Sequence, residues 1–212
     1  MESIPSTGRP DGARLAEICG VLAPVSFVGG WAICGALRSG YDPVHEAISQ
    51  LAREDTPGRL GMTAGFLGFG FLLPVFAGRL PDLLGATGSL RTALRVTVTV
   101  AGAATLAVAA FPLQRIEGGA GDLLHELSAG VGYLAMVAAP ALGTTALRRG
   151  GRTGASAVVA SAVCAGSAAC LGLSLTTGST GLWQRAGLGV VDVWFAGWAL
   201  SALSAARRGG SR

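Results

Sequence analysis

Long apolar runs alternate with short polar segments along most of the chain. A bilayer core of roughly 30 Å needs about 20 consecutive apolar residues in a helix, because lipid cannot satisfy free backbone groups. Six windows meet that length, and we predict a membrane-spanning helix in each: 16–37, 60–78, 96–113, 123–147, 155–175 and 186–205. The predicted fold class is therefore all-α, a polytopic membrane bundle of six transmembrane helices.

The composition supports the same class. Of the 212 residues, 50% are hydrophobic and only 13% are charged, with a mean hydropathy of +0.54, which is unusual for a water-soluble domain. We predict an N-terminal tail over 1–14, a transmembrane domain over 15–206 and a basic tail over 207–212. All 16 basic residues are arginines, a bias typical of a bacterial genome rich in G and C.

The arginines predict the orientation, since positive charge is retained on the cytoplasmic side. With six spans, both termini share a side with the second and fourth connections, and that side holds 11 of the 16 arginines. We therefore expect a multi-pass protein of the cell membrane with both termini cytoplasmic. The arginines form short clusters between apolar runs, which does not indicate a nucleic-acid surface.

Two types of chemically active residue collect on the opposite side. Both histidines of the chain and seven of its 12 acidic residues fall in or beside the three outward connections. The positive-inside rule does not require this, so the clustering is independent information. The four cysteines lie inside apolar runs and predict neither a disulfide nor a metal site.

The first outward connection contains the segment Gly-Tyr-Asp-Pro-Val-His-Glu-Ala-Ile-Ser-Gln-Leu, residues 40–51. Asp42 before Pro43 is a strong helix start, so we predict a short interfacial helix from there. His45 and Ser49 would lie one turn apart on it. Capping of the helix explains Asp42 as well as a direct functional role does.

The fourth and sixth spans begin with polar residues. Asp122 lies one turn before His125 and Glu126, and an aspartate at this spacing can orient an imidazole or raise its pKa. The last outward connection ends in Gly181-Leu-Trp-Gln-Arg185, where Arg185 is either part of a site or an interfacial anchor. Asp192 lies two turns further into the span, and an intramembrane carboxylate suggests function by default.

These motifs resemble a family of bacterial and archaeal integral membrane proteins called domain of unknown function 998. The resemblance rests on the 41–51 segment, Phe111-Pro112, Asp122-x-x-His125 and Gly181-Leu-x-x-Arg185. It implies a six-span bundle and no established activity. The Asp, Ser and His set is also similar to membrane hydrolases of the alkaline ceramidase type, although this chain has two histidines where three are expected. Bacterial membrane terpene cyclases are similar in size.

We expect an enzyme that acts on a lipid or isoprenoid, terpene cyclase-like or lipid hydrolase-like. Its acid and base groups would come from Asp42, His45, Ser49, Asp122, His125 and Glu126, and its substrate would contact Tyr41, Trp183, Gln184, Arg185 and Asp192. No cofactor is expected; a zinc ion, if present, would be bound by His45, His125 and Asp122. The alternative is a non-catalytic transporter, accessory subunit or lipid-binding scaffold. The oligomeric state is not predicted.

Overall fold

Long α-helices make up most of the computed structural model, which describes residues 11–114 and 118–209. The helices are α1 (Asp11–Leu37), α2 (Arg59–Ala77), α3 (Leu80–Leu84), α4 (Gly88–Ala110), α5 (Ala120–Arg149), α6 (Ala155–Thr176) and α7 (Thr180–Gly209), with a 3₁₀ helix at Ile48–Ala52. No strand occurs in these two ranges. The predicted all-α fold class is confirmed.

Six of these helices, all except the short α3, are long and apolar enough to cross a membrane. Each coincides with one of the six predicted spans. The third and sixth spans begin earlier than predicted, at Gly88 and Thr180, because the helices continue through polar residues that lower the local hydropathy. One consequence is that Gln184 and Arg185 lie in the first turns of α7 rather than in a loop.

The six long helices form a closed ring in which neighbours along the chain are also neighbours in space. Helix α1 packs on α2, α2 on α4, α4 on α5, α5 on α6, and α6 on α7, and α7 then returns to α1. The buried core faces the inside of this ring and includes Phe76, Phe195 and Met136. Large apolar side chains such as Phe71 and Val193 are exposed on its outside, as expected for a surface in contact with lipid.

The first outward connection contains a short helix, as predicted, but the helix begins at Ile48 rather than at Asp42. Asp42 instead closes a turn, in which its Oδ1 accepts hydrogen bonds from the backbone N–H groups of Val44 and His45 at 2.9 and 3.4 Å. The Val44 carbonyl accepts a hydrogen bond from the backbone of Leu182 in α7. In a helix that began at Asp42, the Val44 carbonyl would instead accept a hydrogen bond from within that helix.

Charged residues also join the helices at the end of the bundle where α5 and α7 finish, here called the arginine-rich end (Arg148, Arg149, Arg207 and Arg208). Glu17 in α1 is buried and forms a 2.9 Å salt bridge with Arg79 after α2. Such a pair holds α1 against the α2–α3 connection.

Several expectations fall outside the described ranges. They concern most of the N-terminal tail, the last three residues of the C-terminal tail, and Arg115 and Glu117 in the α4–α5 connection. The division into two tails and one transmembrane domain stays a prediction.

Candidate functional site

His125 is the polar residue whose surroundings are most unusual. It lies one turn into α5 and is only 3% exposed. Its Nδ1 lies 2.7 Å from the backbone oxygen of Phe111, and because a carbonyl can only accept a hydrogen bond, Nδ1 carries the proton. In the neutral imidazole Nε2 therefore has a free lone pair, and this buried nitrogen has no hydrogen-bond partner among the described residues.

Phe111 ends α4 and precedes Pro112, which explains why its carbonyl is available. The last carbonyls of a helix have no partner within the helix, and Phe111 is the C-cap residue of α4. Pro112 after it has no backbone N–H to donate. His125 satisfies one of these carbonyls and is oriented by it. Phe111, rather than the expected Asp122, is the hydrogen-bond partner that sets the direction of the imidazole.

His125 lines an inner cavity with an empty volume of about 580 Å³, counting the space open to the exterior. Most of the cavity wall is apolar, and its few polar groups are close to one end. The aromatic and aliphatic part comes from five helices: Phe27, Phe66, Phe69, Val108, Met136 and Leu188. The polar part comes from the first loop, α4, α5 and α7: Ser49, Thr105, His125, Ser128, Tyr133 and Gln184.

An outer cleft adjoins the inner cavity and has an empty volume of about 1830 Å³, counting the space open to the exterior. The two share Ser49, His125, Ala129, Tyr133 and Gln184. Between α5 and α6 the cleft is bordered by apolar side chains that face outward, including Leu123 and Leu175. An apolar molecule can therefore approach His125 from the side of the bundle.

Four of the six residues predicted for catalysis, Ser49, Asp122, His125 and Glu126, line this cleft. Asp122 is buried, but both of its oxygens are in use, since they accept hydrogen bonds from the backbone N–H groups of Gln114 and Gly118 at 2.9 and 2.8 Å. It thus holds the α4–α5 connection in place.

The other two predicted catalytic residues lie elsewhere. His45 and Asp42 are both more than half exposed and form a pair, with His45 Nδ1 2.7 Å from Asp42 Oδ2. Neither lines the inner cavity or the outer cleft. The hydrogen bond from His45, followed by the one from the Val44 backbone, holds the pKa of Asp42 below its usual value.

Arg185 attaches the first outward loop to α7. Its Nη1 donates to the carbonyl oxygens of Pro43, Glu46 and Gly181 at 2.9, 3.1 and 2.8 Å, and its Nη2 bonds to the Tyr41 hydroxyl. The guanidinium also lies 5.3 Å from the Trp31 ring centre.

Gln184 and Tyr41 complete this arrangement. The Gln184 Oε1 accepts a 2.8 Å hydrogen bond from the backbone of Ile48, and the Tyr41 hydroxyl lies 3.1 Å from the carbonyl oxygen of Ala47. Burial raises the pKa of Tyr41, so its hydroxyl keeps its proton. We call Tyr41, Gln184 and Arg185 the loop clamp, and its bonds hold Ser49 over the cavity. Trp183 is half-buried, and its carbonyl oxygen is 3.5 Å from the Tyr133 hydroxyl.

The residues proposed for a zinc ion are not gathered into a metal site. Within 11–114 and 118–209, no group of three His, Cys, Asp or Glu side chains is arranged to hold a metal. His45 is exposed beside Asp42, whereas Asp122 bonds to the loop backbone. We therefore derive no step through a metal.

Asp192 lies deep in α7, apart from the other candidates. It is 1% exposed and lines neither cavity described so far. Its two carboxyl oxygens have no hydrogen-bond partner in the part of the chain that the structure describes. A buried polar group without a partner is costly to the fold.

Replacing Asp192 by valine is expected to raise the free energy of unfolding by about 1–2 kcal/mol, because the unpaired polar group is removed. For a chain of this size each kcal/mol shifts the thermal midpoint by about 2–4 °C, measurable by tryptophan fluorescence in detergent. Asp192→Asn keeps an unpaired polar group and should shift the thermal midpoint much less. A less stable valine variant would indicate that the carboxyl has a stabilising partner.

Several residues of the site were not anticipated from the sequence, above all Tyr133, Ser128 and Met136. They follow His125 at helical spacing on one face of α5 and all line the inner cavity. This periodicity was visible in the sequence. The aromatic wall from α1 and α2 was not, since it depends on which helices meet.

The comparisons with known proteins give one match. A family model described as "Protein of unknown function (DUF998)" matches residues 21–201. No curated protein and no solved structure matches the chain. The match covers all six long helices in whole or in part, together with both cavities.

Proposed function

We propose that this chain, which belongs to the DUF998 family of proteins of unknown function, is a membrane-embedded enzyme. It uses His125 for acid–base chemistry on a lipid or isoprenoid substrate, and the proposal rests on the site alone. One observation carries the proposal. The Nε2 atom of His125 is buried, has no partner among the described residues, and belongs to a residue that lines two adjoining cavities. A positioned base beside an empty apolar space suits an apolar substrate with one reactive polar group.

The walls indicate the type of substrate. An acyl or isoprenyl chain would occupy the aromatic part of the inner cavity, between Phe27, Phe69 and Met136. Its polar end would lie near His125, Ser49 and Gln184, which are shared by the cavity and the cleft. Entry from the bilayer would occur between α5 and α6, past Leu123 and Leu175.

The surroundings of His125 favour the hydrolase-like version over the cyclase-like version. A cyclase that protonates an alkene or epoxide needs a buried carboxyl group that is free to give its proton. The cleft offers Asp122, whose oxygens accept two backbone hydrogen bonds, and Glu126, which is exposed. Ser49, in contrast, lines both spaces together with His125. In apo structures the nucleophile and its base are often not yet in hydrogen-bond contact.

The proposed reaction is acyl transfer from a lipid ester. The Ser49 oxygen attacks the ester carbon while His125 Nε2 takes the hydroxyl proton. His125 then gives this proton to the departing alcohol, and water releases the acyl group from Ser49 by the reverse sequence. The Phe111 carbonyl acts through His125, by holding Nδ1–H and stabilising the imidazolium.

The proposed location is the cell membrane, with both termini cytoplasmic. The arginine distribution supports this orientation through the positive-inside rule. The outer cleft and His125 would then be at the outer face of the membrane.

The second candidate function is a non-catalytic transporter, accessory subunit or lipid-binding scaffold, and one observation favours it. Most polar residues at the His125 end of the bundle form hydrogen bonds to loop backbone, as Arg185, Gln184 and Asp122 do. Such bonds stabilise a binding cavity as well as they stabilise an active site.

The test compares the two histidines. Purified protein in nanodiscs would be incubated with a panel of lipid esters and isoprenyl compounds, and the products would be measured by mass spectrometry. His125→Ala is expected to lower turnover by about 10²–10⁴-fold, the range of a lost general base. Ser49→Ala should have a similar effect if the acyl-transfer version holds.

His45→Ala is the matched control, because His45 is exposed and lines neither cavity, so its loss should leave turnover unchanged. Full activity in a folded His125→Ala protein would overturn the assignment of His125 as the acid–base group. Wild-type protein that retains a lipid but converts none of the panel would favour the scaffold instead.

A further inference from the structure

A third cavity lies at the arginine-rich end, separate from the candidate site. It is a groove between α6 and α7 with an empty volume of about 1200 Å³, counting the space open to the exterior. None of its lining residues belongs to the inner cavity or the outer cleft. We call it the basic groove, and its ends are marked by Arg152 in the α5–α6 connection and by Val163 and Val190 near the middle of the two helices.

Arg152 is the charged residue of the basic groove, and it is held in a defined position. Its Nη1 donates a 3.1 Å hydrogen bond to the carbonyl oxygen of Leu83 in α3, and its guanidinium lies 5.1 Å from the ring centre of Trp198. Only one of the five N–H donors of a guanidinium is needed for that hydrogen bond. The arginine can therefore bind a further acceptor without changing its position.

Basic residues predominate around Arg152. Arg148 and Arg149 end α5, four and three residues before it, and no acidic residue lines the described part of the groove. The nearby carboxylate of Asp82 is paired with Arg79 and Arg91. Two serine hydroxyls, Ser156 and Ser201, also line the groove. This combination is complementary to an anionic group such as a phosphate.

The rest of the groove is apolar and open toward the outside of the helix ring. Val159 and Val193 line it and are both more than half exposed. From the start of α6 to Val163 the groove follows the helix for about 12 Å at the helical rise. An apolar channel of this kind at membrane depth, with a fixed cation at its end, suits a molecule that has both an anionic head and an apolar tail.

We propose that the basic groove binds one anionic phospholipid, whose phosphate is bound by Arg152 and whose acyl chain lies between α6 and α7. The apolar walls select a phospholipid over free phosphate. The Arg152 guanidinium selects an anionic lipid over a zwitterionic one, because the arginines repel the ammonium group of a zwitterionic lipid. This site does not depend on the reaction proposed for His125.

The test measures lipid retention by native mass spectrometry. Purified protein would be equilibrated with phosphatidylglycerol or phosphatidylcholine in mixed micelles, and the bound fraction would be compared. The wild type is expected to retain phosphatidylglycerol about fivefold to tenfold better. Arg152→Gln should remove this preference, whereas Arg95→Gln, which lies in α4 and does not line the groove, should keep it.

A second pair of variants tests the groove without changing charge. Gly197 lines the groove, and a Cβ built there meets nothing within 4 Å, so Gly197→Leu should fold and fill the space. We expect it to lose the bound phosphatidylglycerol. Gly189→Leu is the control, because Gly189 lies on the same helix, is equally open and does not line the groove. Equal retention of both lipids by the wild type, or unchanged phosphatidylglycerol retention in both Arg152→Gln and Gly197→Leu, would overturn the proposal.

Discussion

Replacing Arg185 by methionine is expected to detach the first outward loop from α7 and to lower the free energy of unfolding by about 3 kcal/mol. The guanidinium bonds to three carbonyl oxygens and the Tyr41 hydroxyl, and methionine removes all four of these hydrogen bonds. The free loop should then become accessible to protease. Cleavage by trypsin after Arg53, followed by mass spectrometry, measures this directly.

Arg185→Lys separates charge from geometry. Lysine keeps the positive charge but lacks the planar fork, so it cannot reach several acceptors on two chain segments at once. We expect it to restore only part of the lost stability. Arg59→Met is the control, since Arg59 takes no part in the loop clamp. If Arg185→Met left cleavage at Arg53 unchanged, the loop would be held by other contacts.

Adding one methyl group to Gly65 is expected to destabilise the bundle, whereas the same change at Gly29 is expected to stabilise it. A Cβ on Gly65 would lie 2.9 Å from the carbonyl oxygen of Ser26 and 3.3 Å from the Cα of Gly30, so the backbone of α1 would have to move. Overpacking of this kind costs about 1–3 kcal/mol. A Cβ on Gly29 meets nothing within 4 Å, and alanine gains about 0.5–1 kcal/mol over glycine within a helix.

Comparing the thermal unfolding of Gly65→Ala and Gly29→Ala tests whether the two substitutions change stability in opposite directions. The two glycines lie on facing helices, and each substitution adds the same group. A Gly65→Ala protein as stable as the wild type would mean that α1 and α2 can separate at little cost. Gly61, one turn before Gly65 in α2, likewise faces α1, where a Cβ would lie 2.9 Å from the Cys34 sulfur.

The candidate site was only partly predictable from the residue pattern. The pattern selected His125, Ser49 and Glu126 as catalytic candidates, and all three line one space. It gave no indication that the guanidinium of Arg185 bonds to the first loop. Residues in one helix turn can be related by spacing, but the partner of a long side chain depends on which distant segment lies beside it.

The sequence by itself determined that this chain forms six apolar helices, because the length of each apolar run and the need to satisfy backbone groups in lipid depend only on local composition. It placed the end of the third span at residue 113, whereas α4 ends at Ala110. The tertiary structure alone decided how the helices close into a ring and which polar groups remain free. The Phe111 carbonyl holds one nitrogen of His125, and the other has no hydrogen-bond partner within 11–114 and 118–209. This difference arises from contacts between segments that no local pattern encodes.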